Sequence, residues 1–328
     1  MESFIYLDIT LHPKVFSSIP LSDTIFGEFC WCYRFIYGEE KLKEILQQET
    51  PLLAFSDLLP VGAVPVPKLP LTVEITDKNT YSLAKKFKKV RFVKEEILKS
   101  ATEAAKVEDE DNELPFKLIN KLFDKFKELS NTTSSSDSKE SSKEKAFPNL
   151  TKETRQRLRV KVARNGIIKE GALFNQTEES LEEKVRLIAA VHKSVVEEVE
   201  QTLKIMGDLG IGAKKSVGYG SFEILEIKTW KNRLTKNPSN WFISCSFGLP
   251  KREEVCESFA DFKVKYPKHG QEVTIDGVEN PFKKPVILAQ SGSTFKAQKQ
   301  KPIYGSLLSN KSPVKGHKHS GLVVPLFI

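Results

Sequence analysis

The sequence predicts an α+β protein with two small sheets, each carrying helices on one face. Three observations point there. Short apolar runs of strand character recur from Phe4 to Phe327. Helical patterns interrupt them, the longest over residues 178–209. A glycine-rich turn, Gly210 to Gly220, then leads into a strand pattern at residues 221–228. With 328 residues, 39% of them hydrophobic, the chain can fill two packed cores. The expected division is an N-terminal domain at 1–228 and a C-terminal domain at 229–328.

Residues 4–11 alternate as a first strand. Residues 20–26 open a helix that Ser22 or Asp23 can cap, with Ile25, Phe26, Phe29, Tyr33 and Ile36 at helical spacing. A short helix at 39–48, a strand at 52–59, a proline-marked stretch and a strand at 71–75 follow. Residues 94–148 read as a flexible insertion, dispensable for the fold. It holds the acidic run Glu108 to Asp111, an amphipathic helix at 114–129 and a Ser-rich stretch at 130–142 too polar to order itself. Residues 151–175 contain two alternating basic segments, 158–162 and 167–174, around Asn165-Gly166, which signals a β-hairpin. Beyond the glycine turn, strands are expected at 241–249, 272–277, 285–289, 293–297 and 322–327, with a helix or helix–strand mix at 255–265.

The net charge is +8, and its placement says more than its size. No Asp or Glu follows Glu279, while eight lysines do. Residues 78–91 carry six basic residues and no acid. Residues 151–170 carry Lys152, Arg155, Arg157, Arg159, Lys161, Arg164 and Lys169 against two glutamates. Clustered positive charge is the footprint of nucleic-acid binding, and arginine is the better bidentate phosphate ligand. Cys30, Cys32, Cys245 and Cys256 have no C-x-x-C spacing, and no basic leader or membrane-length apolar run is seen. A reducing, cytoplasmic setting is therefore expected, with no metal, no cofactor and no membrane contact.

The glycine turn carries the most chemistry. Gly210, Gly212, Gly218 and Gly220 permit positive φ and close backbone approach, and Lys214, Lys215, Ser216 and Tyr219 lie among them. Successive free amides in such a turn form an anion site. It is not a phosphate loop of the Walker type, because Ala213 stands where that motif needs lysine. It is not a dinucleotide fingerprint either, since it runs from helix to strand. A helix C-cap with Gly210 as its terminal glycine is the plain structural alternative. Tyr219 suits base stacking and packing equally.

Taken in order, residues 22–26, the glycine loop and the ending His317-Lys318-His319-Ser320-Gly321-Leu322-Val323-Val324-Pro325-Leu326 resemble the repeat-associated mysterious proteins (RAMPs) of CRISPR effector complexes. Within them, the chain resembles the 5′-handle-capping group that includes the fourth Csm subunits of type III-A complexes. Residues 88–93 resemble that group's basic strand, and Arg159 to Arg164 with Gly171 to Phe174 its thumb hairpin; Ala163 stands where relatives often carry Asp. The resemblance implies two ferredoxin-like (RRM-like) domains, a thumb and a glycine-rich loop. It implies a non-catalytic subunit that caps the 5′ handle of the guide RNA. Its implied partners are the large polymerase-like subunit and the backbone RAMP, with target RNA met indirectly. The expected RNA-binding residues are the glycine loop, Ser22, Asp23 and Thr24, the thumb residues Arg155, Arg157, Arg159, Lys161 and Arg164, and His12 and His319. The rival is a metal-independent RAMP endoribonuclease that processes repeat RNA, with His12 as general acid or base. A strand-end histidine facing solvent or a phosphate is the plainer reading of His12, and His192 reads as a structural mid-helix residue.

Overall fold

The computed structural model describes residues 3–74, 77–107, 114–131, 145–150, 152–162, 168–181, 183–215, 218–269, 282–309, 311–312, 314 and 316–328. The chain opens with β1 (Phe4–Pro13) and β2 (Val15–Phe16). Helices α1 (Ser22–Tyr37) and α2 (Glu39–Gln47) follow, then β3 (Leu53–Phe55), β4 (Leu59–Pro60) and β5 (Ala63–Pro65). Helix α3 (Lys78–Phe87), β6 (Phe92–Lys94), α4 (Glu95–Val107) and α5 (Leu114–Asn131) come next. The hairpin is β7 (Lys152–Val162) and β8 (Ile168–Leu181). Strand β9 (Val185–His192), α6 (Val196–Leu209) and β10 (Phe222–Thr229) complete the first sheet.

That sheet runs β10-β1-β9-β3, with β4 also paired to β9, and every pairing is antiparallel. Strands β8 and β9 overturn the first half of the helix expected at 178–209, while α6 keeps 196–209 as helix. Val185 to Val191 is apolar apart from Arg186, and all seven residues are buried. A strand covered on both faces has no alternation to betray it, so length and composition alone misread it as helix. Arg186 is tolerated there because Asp8 Oδ1 (2.8 Å) and Glu95 Oε2 (2.9 Å) pair it and the Trp230 ring lies 5.2 Å away. His192 therefore ends a strand rather than sitting mid-helix, and its Nδ1 accepts from Ser194 N–H at 3.3 Å.

The expected dispensable insertion is another correction. Helices α4 and α5 bury Leu98, Ala105, Leu118, Leu122, Phe123 and Phe126 in the main core, where Phe87 meets Phe123 and Phe126 edge-on or tilted at 5.5 and 5.3 Å. The acidic run 108–111 and most of the Ser-rich stretch lie outside the described residues. Residues 71–74 form no strand, and the basic window 78–91 is mostly helix α3, so the basic strand expected at 88–93 shrinks to β6.

The second sheet and its neighbouring ribbons use β11 (Trp241–Ser244), β12 (Val255–Phe259), β13 (Phe262–Lys265), β14 (Val286–Ala289), β15 (Thr294–Ala297), β16 (Leu307–Leu308), β17 (His319–Ser320) and β18 (Pro325–Phe327). Its four-stranded core runs β12-β15-β11-β18, while β13–β14 and β16–β17 form separate ribbons. Counted by position within each sheet, both read 4-1-3-2. The helix or helix–strand mix expected at 255–265 is two strands, and residues 229–328 contribute no α-helix among the described residues. Strand expectation 272–277 falls outside the described residues. Trp241, Ile243, Cys245, Leu322 and Leu326 join the same apolar cluster as Ile9, Phe55 and Leu187, so one core continues across residue 228.

Candidate nucleic-acid interface

Helix α6 stops at Gly210, whose φ of +84° an L side chain resists and whose N–H closes on Met206 O at 2.8 Å. The chain then pinches shut. Ile211 N–H donates to Gly220 O at 2.9 Å, and Gly220 N–H to Val15 O at 2.8 Å. A Cβ at Gly220 would lie 2.0 Å from Ile211 O, and one at Gly210 2.5 Å from Tyr219 O. The base of the loop therefore needs glycine for packing. The tip differs: Gly212 and Gly218, both at φ +87°, have open space beside them. Exposed Lys214 stands between them at φ 66°. A rigid base under a bare, positively charged tip suits phosphate approach. Lys215 Nζ is 2.5 Å from Glu28 Oε2 of α1, which anchors that side of the loop; Ser216 lies outside the described residues.

The hairpin is welded to this loop. Register places Arg155, Arg157 and Arg159 of β7 opposite Glu178, Gln176 and Phe174 of β8. Buried Tyr219 reaches up to them: its hydroxyl donates to Glu178 Oε1 and accepts from Gln176 Nε2 and Arg159 Nη2, each at 2.8 Å. Arg159 and Arg157 approach the same Glu178 oxygen at 3.4 and 3.6 Å. The Tyr219 bond, then the two arginines, hold Glu178 below the usual carboxylate range. Burial, then Glu178, pushes the Tyr219 hydroxyl up. With its buried ring 5.8 Å under Arg159, Tyr219 takes the packing role of the two weighed for it. Glu179 adds a second weld, to Lys152 Nζ at 2.6 Å and Ile19 N–H at 3.0 Å. Arg155 pairs with Glu153 at 2.6 Å on the surface. Lys161 lies in β7, and Arg164 outside the described residues. The expected hairpin is present, with strands that extend beyond 151–175 to Leu181.

Ser22, Asp23 and Thr24 sit elsewhere, in the seam between the two sheets. Neither Ser22 nor Asp23 caps α1: the N-cap residue is Leu21, without a side-chain bond, and Ser22 N–H donates to Asp57 Oδ1 at 2.8 Å instead. Phe247 N–H donates to Ser22 Oγ at 2.8 Å and to Asp57 Oδ1 at 3.2 Å. Burial pushes the Asp57 carboxyl up to about 6, against those donors. Lys265 Nζ contacts Asp23 Oδ1 at 2.6 Å and Thr24 Oγ1 at 2.8 Å. His319 Nε2 lies 3.2 Å from Asp23 Oδ2, at an angle poor for a hydrogen bond. Burial alone would raise Asp23, but His319 and Lys265 outweigh it and hold it low. Ser22, Asp23 and His319 are buried, so they fasten the two halves together. His12 is exposed on β1, opposite Glu223 of β10.

The structure thus joins the glycine loop and the hairpin arginines in one surface and leaves the residues at 22–24 and His319 behind it. Sequence reasoning missed Glu178, Gln176 and Asp57. Glu178 was hidden because its segment reads as helix; spacing of two from Gln176 was the available signal. No group of three or more His, Cys, Asp or Glu suited to a metal is found among the described residues. None of their helices is long and apolar enough to cross a membrane.

The RAMP superfamily model matches residues 21–223, and the chain belongs to that superfamily. No curated protein matches the sequence. Among solved structures, the chain is similar to one in a Csm1-Csm4 cassette in complex with pppApA: 15% identity, TM-score 0.56, covering 98% of this chain and 97% of that one. It is also similar to a chain of the Csm3-Csm4 subcomplex of the type III-A CRISPR-Cas interference complex: 17% identity, TM-score 0.55, covering 99% and 100%.

Proposed function

We propose that this RAMP is a non-catalytic RNA-binding subunit of a type III-A CRISPR effector complex. It caps the 5′ handle of the guide RNA and bridges a large polymerase-like subunit to a backbone RAMP. The observation that carries the reading is the Glu178–Tyr219–Arg159 weld, which fixes a basic hairpin over an open glycine loop. End-to-end similarity to chains solved with Csm1 and with Csm3 supports the partners. The 4-1-3-2 order of both sheets supports two ferredoxin-like units, 1–228 and 229–328, the second with loops in place of helices. Phosphates bind the loop tip through backbone amides beside Lys214, and Arg155, Arg157 and Arg159 hold the strand as it passes the thumb. Phosphate contacts position RNA without reading it, so spacer sequence is immaterial while handle bases matter. A competition among short RNAs tests this. Changes in handle bases lower affinity and changes in spacer bases do not; equal tolerance at both ends leaves only a generic basic RNA binder.

One observation favours the endoribonuclease alternative: His12 and Glu223 are opposed and both exposed. Specific cleavage of repeat RNA that disappears in His12→Ala would establish it. The capping reading predicts no cleavage, with or without Mg²⁺.

A further inference from the structure

Helix α1 buries Ile25, Phe26, Phe29 and Tyr33 on its core side. Its opposite side carries Gly27, Glu28, Trp31, Arg34 and Phe35, whose spacings of three and four line them up along one face. None of these five is buried, and Phe35 is 67% exposed. Of the three tryptophans in the chain, Trp230 and Trp241 are buried and Trp31 is not.

The Trp31 indole is held from two directions. Arg34 Cζ lies over the ring, 5.4 Å from its centroid, and His317 meets the ring edge-on at 6.2 Å. Arg34 is itself paired with Glu39 at 3.3 Å. One turn before Trp31, Gly27 leaves a gap. Beyond its chain neighbours and the backbone of α1, nothing among the described residues lies within 4 Å of the position its Cβ would take. A long helical side chain leans toward the preceding turn, so this gap adjoins Trp31. A glycine inside a helix weakens it, and no close packing asks for one here.

This face runs into the glycine loop. Lys215 Nζ is 2.5 Å from Glu28 Oε2, and exposed Lys214 stands next to it in the loop. Glu28 is one turn from Trp31 and two from Phe35, a span of about 10 Å along the helix axis. Aromatic side chains beside a positively charged track are the general form of a single-strand binding surface.

We propose that Trp31 and Phe35 form a stacking platform for bases of single-stranded RNA whose phosphates lie on the glycine loop. Arg34 backs one face of the indole, a base lies on the other, and Gly27 leaves room for it. The platform rests on the RNA-binding function proposed above. It moves the base contacts of α1 from the buried Ser22 and Asp23 to the outer side of the helix. RNA is the occupant because the aromatic pair is continuous with the cations of the loop.

Tryptophan fluorescence of the full-length protein reads the platform directly, since Trp31 is the one tryptophan that is not buried. The probe is a short single-stranded RNA of mixed sequence, which should quench that emission as it binds. The same backbone without bases should not quench. Trp31→Ala should bind the RNA about tenfold more weakly with an unchanged salt slope, because stacking releases no counterions. Lys214→Ala should flatten the slope, while the RNA that still binds quenches as before. Gly27→Leu should raise the denaturation midpoint, leucine being the better helix former, yet weaken RNA binding severalfold by filling the gap. RNA that binds without quenching, or a Trp31→Ala variant with parental affinity, overturns the platform and leaves the capping function standing. A parent protein that binds no RNA overturns both. Should Trp31→Ala fail to fold, the parental quench and Gly27→Leu still decide. A Trp31→Ala variant that keeps RNA but no longer co-purifies with a partner subunit assigns this face to protein and overturns RNA as its occupant.

Discussion

Two glycines of one loop should behave in opposite ways. At Gly220 a Cβ would sit 2.0 Å from Ile211 O, a clash with backbone that nothing can yield to. Gly220→Ala should lose about 3 kcal/mol or more of stability by chemical denaturation. Gly212 has positive φ but open space, so Gly212→Ala should cost about 1 kcal/mol, the left-handed penalty alone. Its larger effect should be weaker RNA binding, because the new Cβ stands where a phosphate approaches. Lys214→Ala with Lys215→Ala should flatten the salt dependence of RNA binding by about 0.7 in slope per lost phosphate contact. Lys215 also pairs with Glu28, so the single Lys214→Ala separates binding from anchoring. At Asp57 the sign is set by a folded value of about 6, above the ordinary carboxylate. Its protonation stabilises the fold at low pH, and that contribution is lost as pH rises through about 6. Asp57→Asn, which keeps an acceptor for Ser22 and Phe247, should remove this component from stability measured between pH 4 and 7. Asp57→Ala, which keeps none, should cost about 1–3 kcal/mol.

Helices α4 and α5 belong to the core rather than to an appendage. Phe123 is 1% exposed and packs on Phe87, so Phe123→Ala should cost about 3–5 kcal/mol. A change below 1 kcal/mol would return the segment to the status of an insertion. The amphipathic spacing of Leu118, Leu122 and Phe126 made α5 legible in the sequence. Its destination was not legible, since periodicity gives a helix's apolar face but not what covers it. The hairpin was legible through the alternation of its two segments, and the loop through its glycines; the expected turn at Asn165-Gly166 lies outside the described residues. Strand β9 was not, because burial on both faces erases the period of two. Nor was the weld between hairpin and loop, which depends on Tyr219 and Glu178, far apart in sequence. Tyr219→Phe tests that weld: Glu178, 8% exposed at its side chain, loses a donor. The expected outcome is faster limited proteolysis within 152–181, with little change elsewhere.

At the scale of the molecule, the two sheets repeat one strand order, and a single apolar cluster runs between them. Asp23 and His319, expected as RNA contacts, sit buried in that seam, with Lys265 against Asp23 at 2.6 Å. Ser22-Asp23 looked like a helix cap and an RNA contact; instead Ser22 bonds Phe247, 225 residues distant along the chain, and Asp23 pairs with Lys265, 242 residues distant. What remains outward is the loop tip at Lys214 and the hairpin arginines Arg155 and Arg157. The proposed function requires this surface to hold the 5′ handle of a guide RNA. The direct measurement is to purify the protein with its effector partners and sequence the RNA that comes with it. One class of RNA is expected, with a constant 5′ handle followed by spacers of unrelated sequence. That constant end should be lost when Arg155, Arg157 and Lys214 are changed to Ala together. Bound RNA without a common 5′ end, or a triple variant that retains the same handle, would contradict it.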